Sequence, residues 1–231
     1  MPRPHTTPAL CPSLSTTPPH PPASAALAAA SLAPTGFDFF LLVLQYAPAL
    51  CGASQKCPGL TPSWSYFTLH GLWPENSDGT YPQNCNANAP FSPAAVSNIS
   101  SELDKYWVSL AGPSETFWSH EWEKHGTCAA PVFGDEFSFF NGTLALRDRY
   151  DLTPALAAAG IVPSATATFT KAQLQAAVTQ AFGFPVLPSC DSSGRLNGAT
   201  VCISKQGRAQ SCGSVTYGTC TASALRLVPP Q

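Results

Sequence analysis

The chain has 231 residues, 44% of them hydrophobic, and a formal net charge of −2. That length supports one large domain or two small ones around a real core. The charge excludes a basic stripe that grips nucleic acid by neutralising phosphates, so a nucleic-acid partner would be a transient substrate in a cleft. No run of ~18 apolar residues offers a membrane-spanning helix.

Residues 1–36 are rich in proline, serine and threonine and carry an alanine-rich run. This composition argues against packed structure. The segment is read as a leader that is removed or stays outside the fold, although its apolar part is late and mild for a signal peptide. A mis-assigned start upstream of an ordinary leader is the other reading. The folded domain is expected over residues 37–231.

Phe37–Tyr46 reads as a buried central strand ended by Pro48. Gln45 interrupts the apolar run near its end, where a buried amide needs a partner. Trp64–Leu69 reads as a second strand, with His70 at its end and Gly71 and Pro74 terminating it. Glu75 to Pro90 is a loop, marked by Asp78-Gly79 and several asparagines. Val96, Ile99, Leu103, Tyr106 and Trp107 recur at helical spacing and predict an amphipathic helix over 92–108. Ser109 to Thr116 links it to the next window. Further helices are predicted over Phe137–Leu146, Leu152–Ala159 and Thr170–Phe182, the last with Thr170 as N-cap. Short β-favouring runs follow, at Ala199–Ser204 and Ala224–Val228. Strands and helices without a βαβ rhythm place the chain in the α+β class.

The densest chemistry lies in Phe117–Cys128. In a regular helix, with His120 as zero, Lys124 falls near ~40°, Phe117 near ~60°, Glu121 near ~100° and His125 near ~140°. One face then carries two imidazoles, a carboxyl, an ammonium and a ring, while Glu123 points away near ~300°. A solvated charged face is the plain alternative. Trp118 and Trp122 argue against it, because they imply a half-buried helix in which such groups are costly without a task. A zinc site would want histidines at i and i+4. Here they stand at i and i+5, so no metal is expected.

His70-Gly71-Leu72-Trp73-Pro74, followed by His120-Glu121-Trp122-Glu123-Lys124-His125-Gly126-Thr127-Cys128, resembles the two active-site segments of the ribonuclease T2 family. The likeness runs from about Phe37 to the last cysteine and looks nearest the plant S-like branch. It implies a bent antiparallel sheet packed by helices and stapled by disulfides. It also implies an endoribonuclease that cleaves single-stranded RNA without metal or cofactor, through a 2′,3′-cyclic phosphate to 3′-phosphate ends. His125 would be the general base and His70 the general acid. His120 would bind the phosphate, Lys124 would stabilise the transition state, and Glu121 would orient the imidazoles or balance charge. Gln45, Leu110, Phe117 and Trp73 would contact bases. DNA lacks the attacking hydroxyl and would be at most an inhibitor. A monomer with no membrane attachment is expected.

Cys11 falls in the leader. The other eight cysteines leave many pairings open, and the resemblance implies Cys51–Cys57, Cys85–Cys128, Cys190–Cys220 and Cys202–Cys212. Many relatives carry one more bridge, at positions that here read Pro58 and Gly112. Its loss removes a tether of ~2–4 kcal/mol and leaves no orphan thiol. The cysteines, with sequons at Asn98 and Asn141, point to a secreted or vacuolar/endolysosomal lumen. Two alternatives remain. One is a catalytically inactive storage or defence protein on the same fold. The other is a self-incompatibility cytotoxin, a branch that tends to be basic.

Overall fold

The computed structural model describes residues 36–51, 57, 64–218 and 220–230. The expected leader, Cys11 and Pro58 lie outside them. Among the described residues the strands are β1 (Phe39–Gln45), β2 (Thr68–Glu75), β3 (Phe169–Thr170), β4 (Leu187–Cys190), β5 (Leu196–Ser204) and β6 (Ala224–Leu225). The α-helices are α1 (Ala47–Cys51), α2 (Ser100–Tyr106), α3 (Ser114–Glu121), α4 (Thr127–Phe133), α5 (Glu136–Arg149), α6 (Leu152–Ala158) and α7 (Lys171–Phe182). The α+β expectation holds.

The main sheet is antiparallel in the order β2-β1-β5-β4, and β3 pairs with β6 apart from it. Every residue of β1 is buried because both faces of the sheet are covered. Successive side chains point to opposite faces. Phe40, Leu42 and Leu44 join the main core with Leu103, Trp107, Phe139 and Phe140. Phe39, Leu41 and Val43 form a smaller cluster with Cys202 and Val215, against which Trp73 packs.

β2 departs from expectation. It begins at Thr68, later than Trp64, and runs through Gly71 and Pro74 to Glu75. An edge strand tolerates proline, which lacks a ladder donor. The register passes from Val43↔Gly71 to Leu44↔Leu69, so His70 has no partner and forms a β-bulge. Bulges re-aim a side chain, and they recur beside active sites.

The predicted helix over 92–108 is broken. A 3-10 segment, Pro93–Ile99, precedes α2, with Ile99 off helical geometry between them (ψ 14°). The next helix starts at Ser114, earlier than expected, directly after Pro113, whose extended backbone (ψ 133°) forms the N-cap. α4 was hidden by Pro131, which reads as a breaker but lies inside the helix. α5 extends past Leu146 to Arg149 and is capped by Asp135, which accepts from Ser138 N. α7 starts with a full capping box between Thr170 and Gln173. The last predicted strand shrinks to Ala224–Leu225, set by its two-residue partner β3.

Four disulfides form, Cys51–Cys57, Cys85–Cys128, Cys190–Cys220 and Cys202–Cys212. At Gly112 a local turn replaces the absent bridge, with Ser109 Oγ accepting from Ala111 N and Gly112 N at 3.3 and 3.2 Å.

Candidate active site

The bulge at His70 leaves main-chain carbonyls that side chains must satisfy. Leu69 O accepts from Gln45 Nε2 at 3.1 Å, and His70 O accepts from Trp107 Nε1 at 2.8 Å. Trp107 O in turn accepts from Trp118 Nε1 on α3, at 2.7 Å. Indole hydrogen bonds thus pin the strand carrying one imidazole to the helix leading to the others.

That helix does not continue uniformly through residue 125. After Glu121 the backbone widens into a π turn, Trp122–Gly126, with Thr127 N bonded to Trp122 O. Such insertions are rare and cluster at functional sites. Gly126 makes this one possible. A Cβ there would lie 2.3 Å from Trp122 Cε3, so the indole packs directly on the backbone and donates to Ala89 O at 2.9 Å. The neighbouring loop is bound to the turn by Cys85–Cys128, by Asn84 N to Lys124 O (2.9 Å), and by Cys85 N to Thr127 Oγ1 (3.1 Å).

Trp73 is the hub. Its indole N–H donates to Glu121 Oε2 at 2.8 Å. Its ring stacks on His125, with centroids 5.0 Å apart at 19°. His70 meets the same indole perpendicularly at 5.1 Å, with Phe117 on another side at 5.5 Å. The His120 and His125 rings lie 6.5 Å apart. These histidines, Glu121 and Lys124 line one cavity of about 650 Å³.

The electrostatics follow from burial. His125 is 4% exposed, and its pKa falls to about 3, through burial first and then through Lys124, His120 and His70. His70 falls to about 4 from burial, His120 and Lys124. With 41% of its side chain exposed, water tempers that fall. Glu121 is 1% exposed, and burial pushes its carboxyl up to about 8 against the opposing Trp73 hydrogen bond and Lys124. Its Oε1 has no hydrogen bond and lies 3.9 Å from His70 Nε2. His125 Nδ1 is likewise without a partner. Burial therefore favours neutral imidazoles at His70 and His125 and a protonated carboxyl at Glu121, with the Lys124 side chain beside them. Such a set can take a proton on one side of a substrate, return one on the other, and offset developing negative charge. Among the described residues no group of three or more His, Cys, Asp or Glu is placed to hold a metal ion.

Other predicted residues lie elsewhere. Gln45 and Leu110 are buried and do not line this cavity. Gln45 Nε2 donates to Leu69 O and Val108 O at 3.1 and 3.2 Å. Glu123 points away, as the helical projection predicts, and accepts from Ser119 Oγ at 2.9 Å. Asn98 and Asn141 are exposed. Sequence reasoning missed Glu75, Tyr81 and Tyr217, which also line the cavity. No motif marks them. The one available signal was the bracketing of Tyr217 by Cys212 and Cys220.

Fold and site together define an α+β enzyme with acid–base side chains around one cleft. The profile of the Ribonuclease T2 family matches residues 37–212. Extracellular ribonuclease LE of Solanum lycopersicum is 37% identical over 180 residues, 74% of this chain and 78% of that protein. Ribonuclease 1 of Arabidopsis thaliana is 34% identical over 203 residues, 84% and 87% of the two chains. Among solved structures, RNase NT in complex with 5′-AMP superposes with a TM-score of 0.76 at 30% identity, over 85% of this chain and 100% of that one. The RNase-related protein from Calystegia sepium gives 0.75 at 31% identity, over 84% and 98%. The chain belongs to the ribonuclease T2 family and is an endoribonuclease of that type.

Proposed function

We propose that the protein cleaves single-stranded RNA by metal-independent transphosphorylation, with His125 as general base and His70 as general acid. His125 takes the proton of a 2′-hydroxyl, and the oxygen attacks the adjacent phosphorus. The P–O2′ bond forms, the P–O5′ bond breaks, and His70 protonates the departing 5′-oxygen. A 2′,3′-cyclic phosphate results. Water then opens it to a 3′-phosphate with the two histidines in exchanged roles.

The observation that carries this reading is the placement of two imidazoles, from separate elements, against one indole at 5.1 and 5.0 Å over one cavity. His120 is exposed at its rim and binds the phosphate, and half-buried Lys124 offsets charge on the pentacoordinate phosphorus. Glu121 Oε1 stands 3.9 Å from His70 Nε2, close enough for the charge of either group to bias the protonation of the other. A neutral pair suits the empty site. An arriving phosphodiester anion favours the ionised pair, with the proton on His70, where the leaving group needs it. Trp73 and Phe117 flank the imidazoles as surfaces for bases, with Gln45 and Leu110 at a further base contact. The protein acts as a monomer, and DNA, lacking the 2′-hydroxyl, is not cut. The leader over residues 1–36 is absent from the mature domain, 37–231. Four disulfides and exposed sequons at Asn98 and Asn141 support a glycosylated protein of the secretory or vacuolar lumen.

The test is a dinucleotide panel in EDTA, with products resolved by phosphorus NMR. A transient cyclic phosphate is expected, and His70→Ala or His125→Ala should each lower turnover by about 10²–10⁴. Turnover that survives both substitutions would remove the assignment.

A further inference from the structure

One rim of the catalytic cavity carries Glu75, Asp78 and Tyr81. Asp78 Oδ1 accepts from Thr80 Oγ1 at 2.7 Å and Thr80 N at 2.9 Å, and these bonds hold its carboxyl below the ordinary range. An ionised carboxylate there repels a phosphate chain. Thr216 and Tyr217 line the cavity too, on a loop joined to that rim where Ser214 Oγ donates to Ser77 O at 3.3 Å. Thr216 and Tyr217 also wall a second cavity of about 270 Å³, together with Lys171, the first residue of α7. Tyr217 therefore stands as a partition between the two spaces. Its ring meets Trp73 at 4.9 Å and 88°. A perpendicular contact covers at most one face of the tyrosine, and the residue is 39% exposed. Its loop is tied at both ends, by Cys202–Cys212 and Cys190–Cys220, so the partition is fixed to the sheet. The family match stops at residue 212, before this loop.

The direction of the substrate rests on the reading under Proposed function. If His125 takes the 2′-hydroxyl proton, the nucleotide supplying it lies on the His125–Trp73 side. Its 5′ neighbour then lies beyond Trp73, at Tyr217. We propose that the cavity behind Tyr217 is a subsite for that 5′ nucleotide, stacked on the free tyrosine face, with the linking phosphate held by Lys171. A cavity of about 270 Å³ is near the lower end of ligand pockets (~300–1,000 Å³) and suits one such unit. Aromatic stacking beside a cation is the common way single strands are held without regard to sequence.

The experiment uses three substrates with one cleavable bond each. The first is the dinucleotide cut fastest. The second adds a deoxynucleotide on its 5′ side, whose missing 2′-hydroxyl keeps the new bond intact. The third adds a nucleotide on the 3′ side and carries a 2′-deoxyribose at the middle position, so that its new bond also stays intact. The 5′ extension should raise kcat/KM by about five-fold or more, chiefly through KM, and the gain should shrink with added salt. Lys171→Gln and Tyr217→Ala should each bring the ratio of 5′-extended to plain substrate toward one, Tyr217→Phe should keep it, and Lys205→Gln, at a separate cavity, should keep it too. Lys171 is exposed on the first turn of its helix, so its variant reports even if the tyrosine truncation disturbs folding. No gain in the wild type, a gain confined to the 3′ extension, or a gain that survives both substitutions would overturn the subsite. A wild type that leaves the plain dinucleotide uncut would instead overturn the acid–base reading.

Discussion

Gly71 sits where the two halves of the site touch. A Cβ built on it would lie 1.9 Å from Glu121 Oε2 and 2.4 Å from Trp73 Nε1, the two atoms of the hydrogen bond that joins strand to helix. Neither partner has an easy retreat, because Glu121 is 1% exposed and Trp73 is packed between His125 and His70. Overpacking at such a site costs about 1–3 kcal/mol, and the displaced hydrogen bond adds about 0.5–1.5 kcal/mol. Gly71→Ala should therefore lower stability by about 2–4 kcal/mol, or roughly 5–15 °C in Tm for a chain of this size. Because the indole also carries both imidazoles, kcat/KM should fall by about 10²-fold. The decisive assay is a double-mutant cycle. Thermal unfolding is measured for Gly71→Ala in the wild type and in a Glu121→Ala background, where the obstructing carboxyl is gone. The substitution should cost clearly less in the second background. Equal costs in both, or a stable and fully active Gly71→Ala, would refute the reasoning.

Three further outcomes are expected. Both reacting histidines titrate below their ordinary value of ~6.5 in the free protein, so kcat/KM should peak on the acid side of it. The bound phosphodiester raises the cationic form of His70, so the kcat optimum should lie at higher pH than that of kcat/KM, and coincident optima would contradict this. Glu121 is raised to about 8 when folded from 4.5 when unfolded, so its contribution to stability is full below ~4.5 and is lost as pH rises through ~8. Glu121→Gln removes that titration and should gain stability relative to wild type between pH 5 and pH 8.5 in denaturant melts. Trp107→Phe keeps the ring but leaves His70 O without its donor, which should cost about 1–3 kcal/mol and lower kcat more than it raises KM.

The central strand was legible because an apolar run of that length has to be covered on both sides. Thr170 was equally plain as an N-cap. The Phe117–Cys128 window stood out because so many polar groups sat among tryptophans, and His70 gained meaning only from the resemblance its segment carries when paired with that window. Their exact presentation did not stand out. A bulge is a register event between two strands, and nothing in Thr68–Glu75 alone announces that His70 is the residue left over. The π turn is similar: a helical projection assumes a constant angle, while the widening depends on Trp122 finding room over Gly126. Gln45 shows the opposite lesson. Its amide stood out as needing a partner, and the partners for its nitrogen are the carbonyls of Leu69 and Val108. Tyr217 stayed invisible because disulfide-held loops bring it to the site from far along the chain.

The stacking of one indole on His125, with His70 edge-on to it, gives the protein a built-in optical probe. Charged imidazolium drains the excited state of a neighbouring indole far better than neutral imidazole does. Emission from Trp73 should therefore dim as protons or a phosphodiester arrive. A Trp73→Phe difference spectrum would isolate that signal from the background of the other four tryptophans. Occupancy and protonation of the cleft can thus be followed in real time without attaching a dye.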